Sequence, residues 1–193
     1  MRRYINNFIS VGYSALRIAF LKLILRKGFF VPIIQRISPN VVLEFNKGSR
    51  VKFGRTVRIH SGTKIKVRSG AKLEIGDNVK VNYYCIVACH DEITIGEGTE
   101  FGPSVYLYDH DHDYRVGLHS NSKKEEYKSS PIVIGKNCWI GANTVILRGT
   151  VLGDNCVVGS GCVLNGEYEA NSLIVQKRET MVREISVEQY KES

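Results

Sequence analysis

Residues 132–164 read IVIGKNCWIGANTVILRGTVLGDNCVVGSGCVL, and an apolar residue returns at every sixth position. Ile134, Ile140, Ile146, Leu152, Val158 and Leu164 hold that position, and Ala170 continues the count. The residue after each is Gly135, Gly141, Leu147, Gly153, Gly159, Asn165 and Asn171; two before the first six stand Ile132, Cys138, Thr144, Thr150, Cys156 and Cys162. A six-residue unit is a short extended segment plus a turn. The glycine-like position permits the turn and lets backbone approach backbone. A helix is excluded, because each recurring glycine would cost about 1 kcal/mol there. One unit cannot bury its apolar residue alone, so the units must stack into a solenoid. With three units per turn, Ile134, Leu152 and Ala170 are expected to lie above one another, as are Cys138 and Cys156.

The pattern extends upstream. Phe45, Phe53, Ile59, Val67 and Ile75 are spaced 8, 6, 8 and 8, and HSGTKIKV (60–67) is echoed by RSGAKLEI (68–75). Val81-Asn82 and Val87-Ala88 keep period six; after a two-residue slip, Ile95-Gly96, Phe101-Gly102 and Leu107-Tyr108 resume it. One interruption remains, DHDHDYRVGLHSNSKKEEYKSSP at 109–131. A long polar excursion from a rigid scaffold is a common seat of function. Residues 1–30 carry Ile5, Phe8, Ile9, Leu16, Phe20 and Leu23 near helical spacing, with Arg17, Lys22, Arg26 and Lys27 largely elsewhere. This is a basic amphipathic helix. It suits either capping of the open solenoid end or contact with an anionic membrane surface. The expected organisation is a helical arm (1–40), a solenoid (41–175) and a tail (176–193).

The chain has 193 residues, 43% hydrophobic and 24% charged, an ordinary folded composition. Residues 1–43 hold seven basic groups and no acid, so 44–193 are near neutral at +1. A nucleic-acid-binding body would need its own basic patch, so nucleic acid is not expected as a partner. Charges interrupt every apolar stretch before the roughly 20 residues of a spanning helix. The five cysteines (85, 89, 138, 156 and 162) are odd in number and lack metal-type pairing. They read as reduced and mostly buried, and the protein as cytoplasmic, with residues 1–30 as the candidate contact to the inner membrane face.

Asp109-His110-Asp111-His112-Asp113 is the densest chemical signal. In an extended strand His110 and His112 face one way and the aspartates the other. A histidine held by a carboxylate is a good general base near neutral pH. The other reading is a solvated acidic loop. A metal reading needs a third ligand from His90, His119 or an aspartate, and no metal is expected. Cys85 or Cys89 as nucleophile would have only His90 nearby.

With these motifs the chain resembles the hexapeptide-repeat acyltransferases, in particular the maltose/galactoside and capsule or exopolysaccharide O-acetyltransferase branch. The resemblance spans about residues 41–185 and rests on the hexads, YDHDH at 108–112 and CWIGA at 138–142. It implies an all-β, left-handed parallel β-helix with an N-terminal helix, one excursion loop and a short C-terminal tail helix. It also implies a homotrimer using acetyl-CoA, with direct acetyl transfer to a saccharide hydroxyl. The family base falls at His112, with His110 in reserve, and Asn82 matches an asparagine near the acceptor. Trp139 would flank the acetyl-CoA cleft, and Gly141, Ala142, Gly159 and Ser160 would lie along the pantetheine. Arg183, helped by Lys177 and Arg178, would meet the cofactor phosphates, although Gln176–Thr180 departs from the family's turn. At Cys89-His90 the branch often carries an acceptor-contacting carboxylate that is absent here. N-acetylation of an amino sugar, a non-catalytic scaffold and a zinc enzyme resembling γ-class carbonic anhydrases are the alternatives. The last needs a histidine pairing that the repeats do not show.

Overall fold

The computed structural model describes residues 2–113, 127–177 and 179–182. The chain forms a parallel β-solenoid of six full turns and two strands of a seventh, preceded by one helix, α1 (Arg2–Leu25). Each turn contributes one strand to each of three sheets. The first sheet runs from Phe29–Phe30 to Glu167–Tyr168, the second from Arg36–Ile37 to Leu173–Ile174, and the third from Val42–Phe45 to Val163–Leu164. All solenoid pairings are parallel, so identical positions of successive turns stack into inward columns of Ile, Val, Leu and Phe. The apolar position of the hexad faces inward because alternate residues of a strand point to opposite faces.

Close stacking explains the glycine that follows it. A Cβ on Gly96 would lie 2.4 Å from the carbonyl carbon of Gly135 one turn above, and one on Gly135 would lie 2.6 Å from the Asp154 nitrogen. At one corner the chain reverses through left-handed backbone at Asn78, Gly98, Asn137, Asn155 and Asn171, the residue types that tolerate that region. All five cysteines are free and buried. The Cys138 thiol donates to the Gly153 carbonyl at 3.2 Å, and that of Cys156 to Glu169 at 3.1 Å. They are small interior residues next to backbone.

Turn length falls along the axis. It is 22 residues from Val51 to Leu73, 20 from Leu73 to Ile93, 18 from Val133 to Val151 and 16 from Val151 to Glu167. Two expectations are corrected by this taper. The position over Leu152 belongs to Tyr168, not Ala170, because the last turn is two residues short; Ala170 is exposed in a turn. The first solenoid turn begins at Phe29, inside the stretch expected to be helical arm, since Phe29 and Phe30 pair with Val51 and Lys52. The expected C-terminal helix falls largely on residues outside those described; 176–177 and 179–182 carry no helix or strand.

An open solenoid end exposes unpaired strand groups, and side chains meet them here. Ser14 of α1 accepts from the Ile37 amide (3.0 Å) and donates to the Ile37 carbonyl (2.9 Å). Arg17 donates to the Val41 carbonyl at 2.6 Å. At the far end the Gln176 amide takes both partners of Val163, accepting from its N–H at 2.9 Å and donating to its carbonyl at 2.7 Å. The helix therefore caps the first turn, with Ile18, Leu21 and Leu25 against the core.

Candidate active site

The excursion leaves the third sheet after Tyr106–Tyr108 and returns to the first at Ile132–Ile134. Its root is a two-stranded antiparallel ribbon, His110–His112 against Tyr127–Ser129, in register His110↔Ser129 and His112↔Tyr127. Alternation puts both histidines and Tyr127 on one face and Asp111 on the other. Asp111 pairs with Arg148 of the following turn at 2.6 Å, and Asp113 with Lys128 at 2.9 Å.

Asp109 sets the root in place. Its side chain is fully buried, at the inward position one step beyond Leu107. An inward carboxylate is expensive unless it is hydrogen-bonded. Here it accepts from the backbone N–H of His90 (2.8 and 3.0 Å) and of Asp91 (2.8 Å). Those two residues form the short connection between Ile86–Cys89 and Glu92–Ile95, the two-residue slip in the sequence pattern. Asp109 also contacts His110 Nδ1 at 3.2 Å. The first aspartate of the excursion and the slip in the repeat are thus one structure, which the sequence reading treated as two.

The same contact gathers aromatic rings. His90 stacks on His110 with centroids 3.4 Å apart and planes 13° from parallel. Tyr127 meets His90 edge-on at 4.6 Å, His110 at 5.4 Å and His112 at 4.8 Å. Partial burial, then the neighbouring His110 charge, depress the His90 pKa to about 4. His90 is therefore neutral at physiological pH. The His110 side chain is only 12% exposed, whereas His112 is open to solvent. Tyr127 was missed altogether, and Asp109 and His90, noted in the sequence as part of the acidic motif and as a possible metal ligand, were not recognised as partners in this cluster.

The other expected site residues lie on a different corner. Register puts His60, Asn82, Gly102, Gly141, Gly159 and Val175 in one column between the second and third sheets. Ala142 and Ser160 follow Gly141 and Gly159, and a Cβ on Gly141 would lie 2.5 Å from the Ser160 nitrogen. Trp139 stands on the outer face of the second sheet between Glu100 and Val157, 56% exposed. Asn82 Oδ1 accepts from the Tyr83 amide at 2.9 Å, a turn-stabilising bond. Tyr83 packs on His60 at 4.7 Å, and Tyr83 and Tyr84 are exposed beside Asn82. Lys177 is exposed beyond the last strand, and Arg178 and Arg183 lie outside the described residues. Within one chain the His110–His112 strand and the Asn82–Gly141–Gly159 column are separated by the width of the third sheet.

Burial raises the thiol pKa of both Cys85 and Cys89, and the Asp109 carboxylate adds to the effect at Cys89. Their thiols donate to the carbonyls of Gly102 and Lys72, each at 3.3 Å. Neither is set up as a thiolate nucleophile. Among the described residues no group of three or more His, Cys, Asp or Glu side chains is arranged to hold a metal ion.

The bacterial transferase hexapeptide (six repeats) matches residues 131–166. The chain is 30% identical over 104 residues to WbbJ of Escherichia coli (strain K12), whose name assigns it to lipopolysaccharide biosynthesis O-acetyl transfer; the match covers 51% of this chain and 53% of that protein. Nodulation protein L of Rhizobium leguminosarum bv. viciae is 37% identical over 76 residues, 37% of this chain and 36% of its own. The chain thus spans between about a third and three fifths of the curated relatives it matches. Among solved structures, a variant of the Bacillus cereus N-acyltransferase AntD, in complex with dTDP-4-amino-4,6-dideoxyglucose and coenzyme A, shares the fold. Its TM-score is 0.64 at 19% identity, over 86% of this chain and 89% of that one.

Proposed function

We propose that this hexapeptide-repeat protein is an acetyl-CoA-dependent O-acetyltransferase that acetylates a saccharide hydroxyl. The observation that carries the reading is the excursion root, which holds two histidines in a fixed ribbon anchored by a buried carboxylate at the one break in the solenoid. A general base must touch the acceptor hydroxyl. His112 is exposed and is the proposed base; His110, packed between His90 and Tyr127, supports the ribbon and stands in reserve. The base takes the hydroxyl proton as the oxygen attacks the thioester carbonyl. The tetrahedral oxyanion is met by backbone N–H groups, and CoA thiolate leaves, taking the proton.

The glycine column supplies close backbone approach for an extended pantetheine at Gly141, Ala142, Gly159 and Ser160, with Trp139 as one wall. Asn82 is the proposed acceptor contact. Lys177, Arg178 and Arg183 are the proposed phosphate contacts. Because the two corners are apart within a chain, the reading includes a homotrimer, in which a neighbouring copy would bring one chain's His112 to the other's glycine column. The O-acetyl reading is supported by the name of WbbJ. The amino-sugar ligand of AntD motivates the second reading, N-acetylation of an amino sugar.

Calorimetric titration with CoA and acetyl-CoA, followed by a transfer assay on sugars bearing hydroxyls only or a free amine, tests both. Binding near one donor per subunit is expected, with transfer to hydroxyls. His112→Ala should lower turnover about 10²–10⁴-fold while donor binding persists. Full activity in His112→Ala with loss in His110→Ala moves the base to His110. Absence of donor binding removes the enzymatic reading.

A further inference from the structure

Helix α1 has two apolar stripes, and only one meets the protein. Ser14, Ile18, Leu21 and Leu25 turn toward the solenoid. Ile9, Tyr13, Leu16, Phe20, Leu23 and Ile24 form a second stripe, at spacings of 4, 3, 4, 3 and 1, that faces solvent. Leu16 is 76% exposed, Phe20 62% and Leu23 75%. At 100° per residue these six positions fall within an arc of about 100°, a continuous band along one side of the helix. Phe30, Ile33 and Ile34 of the first turn add further exposed apolar side chains at the same end.

Charge is polarised along the same axis. Residues 1–72 carry sixteen Lys and Arg against a single acid, Glu44, a net of +15; residues 73–193 carry eleven against eighteen, a net of −7. The solenoid advances turn by turn, so among the described residues this sequence asymmetry is a spatial one. The helix and the first turns form a strongly basic end, and Lys22, Lys27, Lys47, Arg50 and Lys64 are exposed there. The near-neutral count over 44–193 conceals this, because acids of the later turns offset bases of the earlier ones. No helix among the described residues is long and apolar enough to cross a bilayer.

The geometry points to an anionic lipid bilayer as the occupant of this face. The apolar stripe of α1 enters the interface while the basic end of the solenoid rests on the headgroups. The stripe runs along one side of a single helix, an arrangement that suits a planar interface. A second copy is disfavoured as occupant, because it would bring two ends of charge near +15 together. An amphipathic helix flanked by cations gains from apolar burial and from attraction to anionic lipid. The excursion root stands three strand spacings, about 15 Å, further along the axis from the first turn. The candidate site is therefore raised above the lipid surface and not pressed into it.

Flotation of the full chain with vesicles of phosphatidylcholine alone, or of three parts phosphatidylcholine to one of phosphatidylglycerol, tests this. Partitioning to the anionic vesicles is expected to exceed that to the neutral ones by about tenfold or more, and to fall between about 0.1 M and 0.5 M salt. Phe20→Glu with Leu23→Glu should reduce it at least about tenfold with an unchanged melting temperature, since neither side chain packs on the core. Lys22→Glu with Lys27→Glu provides a second variant that leaves the stripe intact and weakens only the anionic preference. Failure of the wild-type chain to float with anionic vesicles overturns the inference, as does equal partitioning to both. A stripe variant that binds vesicles like the wild type but sediments as a smaller assembly assigns the face to a second copy instead. These readouts are independent of acetyl transfer, so they stand or fall apart from the proposed activity.

Discussion

Two inward columns run side by side up the third sheet, and they end differently. One reads Leu43, Ile65, Val87, Leu107, Ile146 and Leu164, apolar throughout its length. The other, two residues further along each strand, reads Phe45, Val67 and Cys89, and its next step is Asp109. Both Leu107 and Asp109 are fully buried, so burial does not distinguish them. What differs is the neighbour. The first column meets side chains of its own kind; the second meets two backbone N–H groups of the shortened connection at His90–Asp91. A wall is stable because every turn repeats, whereas a root is defined because one residue fits one place.

Exchanging the residue types tests this directly. Ile146→Asp puts a carboxylate where no amides await it, and it loses the packing of a buried isoleucine. The expected loss exceeds about 5 kcal/mol, enough to prevent folding of the upper turns, seen as loss of a cooperative thermal transition. Asp109→Leu is the reverse exchange, and on composition alone it completes an apolar ladder. It nonetheless leaves the His90 and Asp91 amides unsatisfied, so a loss of about 2–4 kcal/mol in denaturant titration is expected. Faster hydrogen exchange at those two amides should accompany it. If Asp109→Leu is neutral or stabilising, the root is merely another position in the wall.

The wall was legible because its evidence is local and repeated: each hexad carries its own apolar residue and glycine. Errors came where the repeat length changed. The first turn was hidden because 22-residue turns separate their apolar positions more widely, and Tyr168 was missed because the last turn drops two residues. The root was only half legible. DHDHD announced chemistry, but the partner of Asp109 is a pair of backbone amides eighteen and nineteen residues upstream, and backbone amides leave no mark in composition. The helix was read as one amphipathic face. Four of the residues taken to define it, Ile9, Leu16, Phe20 and Leu23, face solvent, while a serine makes the central contact with the solenoid. A polar side chain that satisfies an edge strand cannot be recognised from helical periodicity.

A smaller effect separates the two regions by pH. His90 holds its proton only below about pH 4 in the folded chain, against an ordinary value of 6.5. Above about pH 6.5 both folded and unfolded chains carry it neutral, and its contribution is complete. As pH falls from 6.5 toward 4 the unfolded chain takes up a proton that the folded one refuses, so stability drops across that window. The ring is partly exposed and solvent screens it, so the change is about 1 kcal/mol or less. Melting temperatures measured across this range should fall less steeply in His90→Gln than in the wild type. Equal slopes would place the acid sensitivity in the wall.

The smallest expected effect concerns an exposed tie between excursion and solenoid. Arg148 reaches from the turn above to Asp111 at 2.6 Å, a shorter contact than any made by Asp109, yet the Asp111 side chain is 54% exposed. An ion pair in water gains little, because solvent already stabilises both charges and ordering two side chains costs entropy. Arg148→Ala should therefore change unfolding free energy by less than about 1 kcal/mol, and raised salt should shrink even that difference. Distance alone predicts the opposite ranking, with Arg148 the stronger anchor and Asp109 the weaker. A loss in Arg148→Ala as large as that in Asp109→Leu would mean that the excursion is held from outside by charge. A near-zero loss beside a large one would leave the buried carboxylate as the feature that fixes where the histidine strand begins.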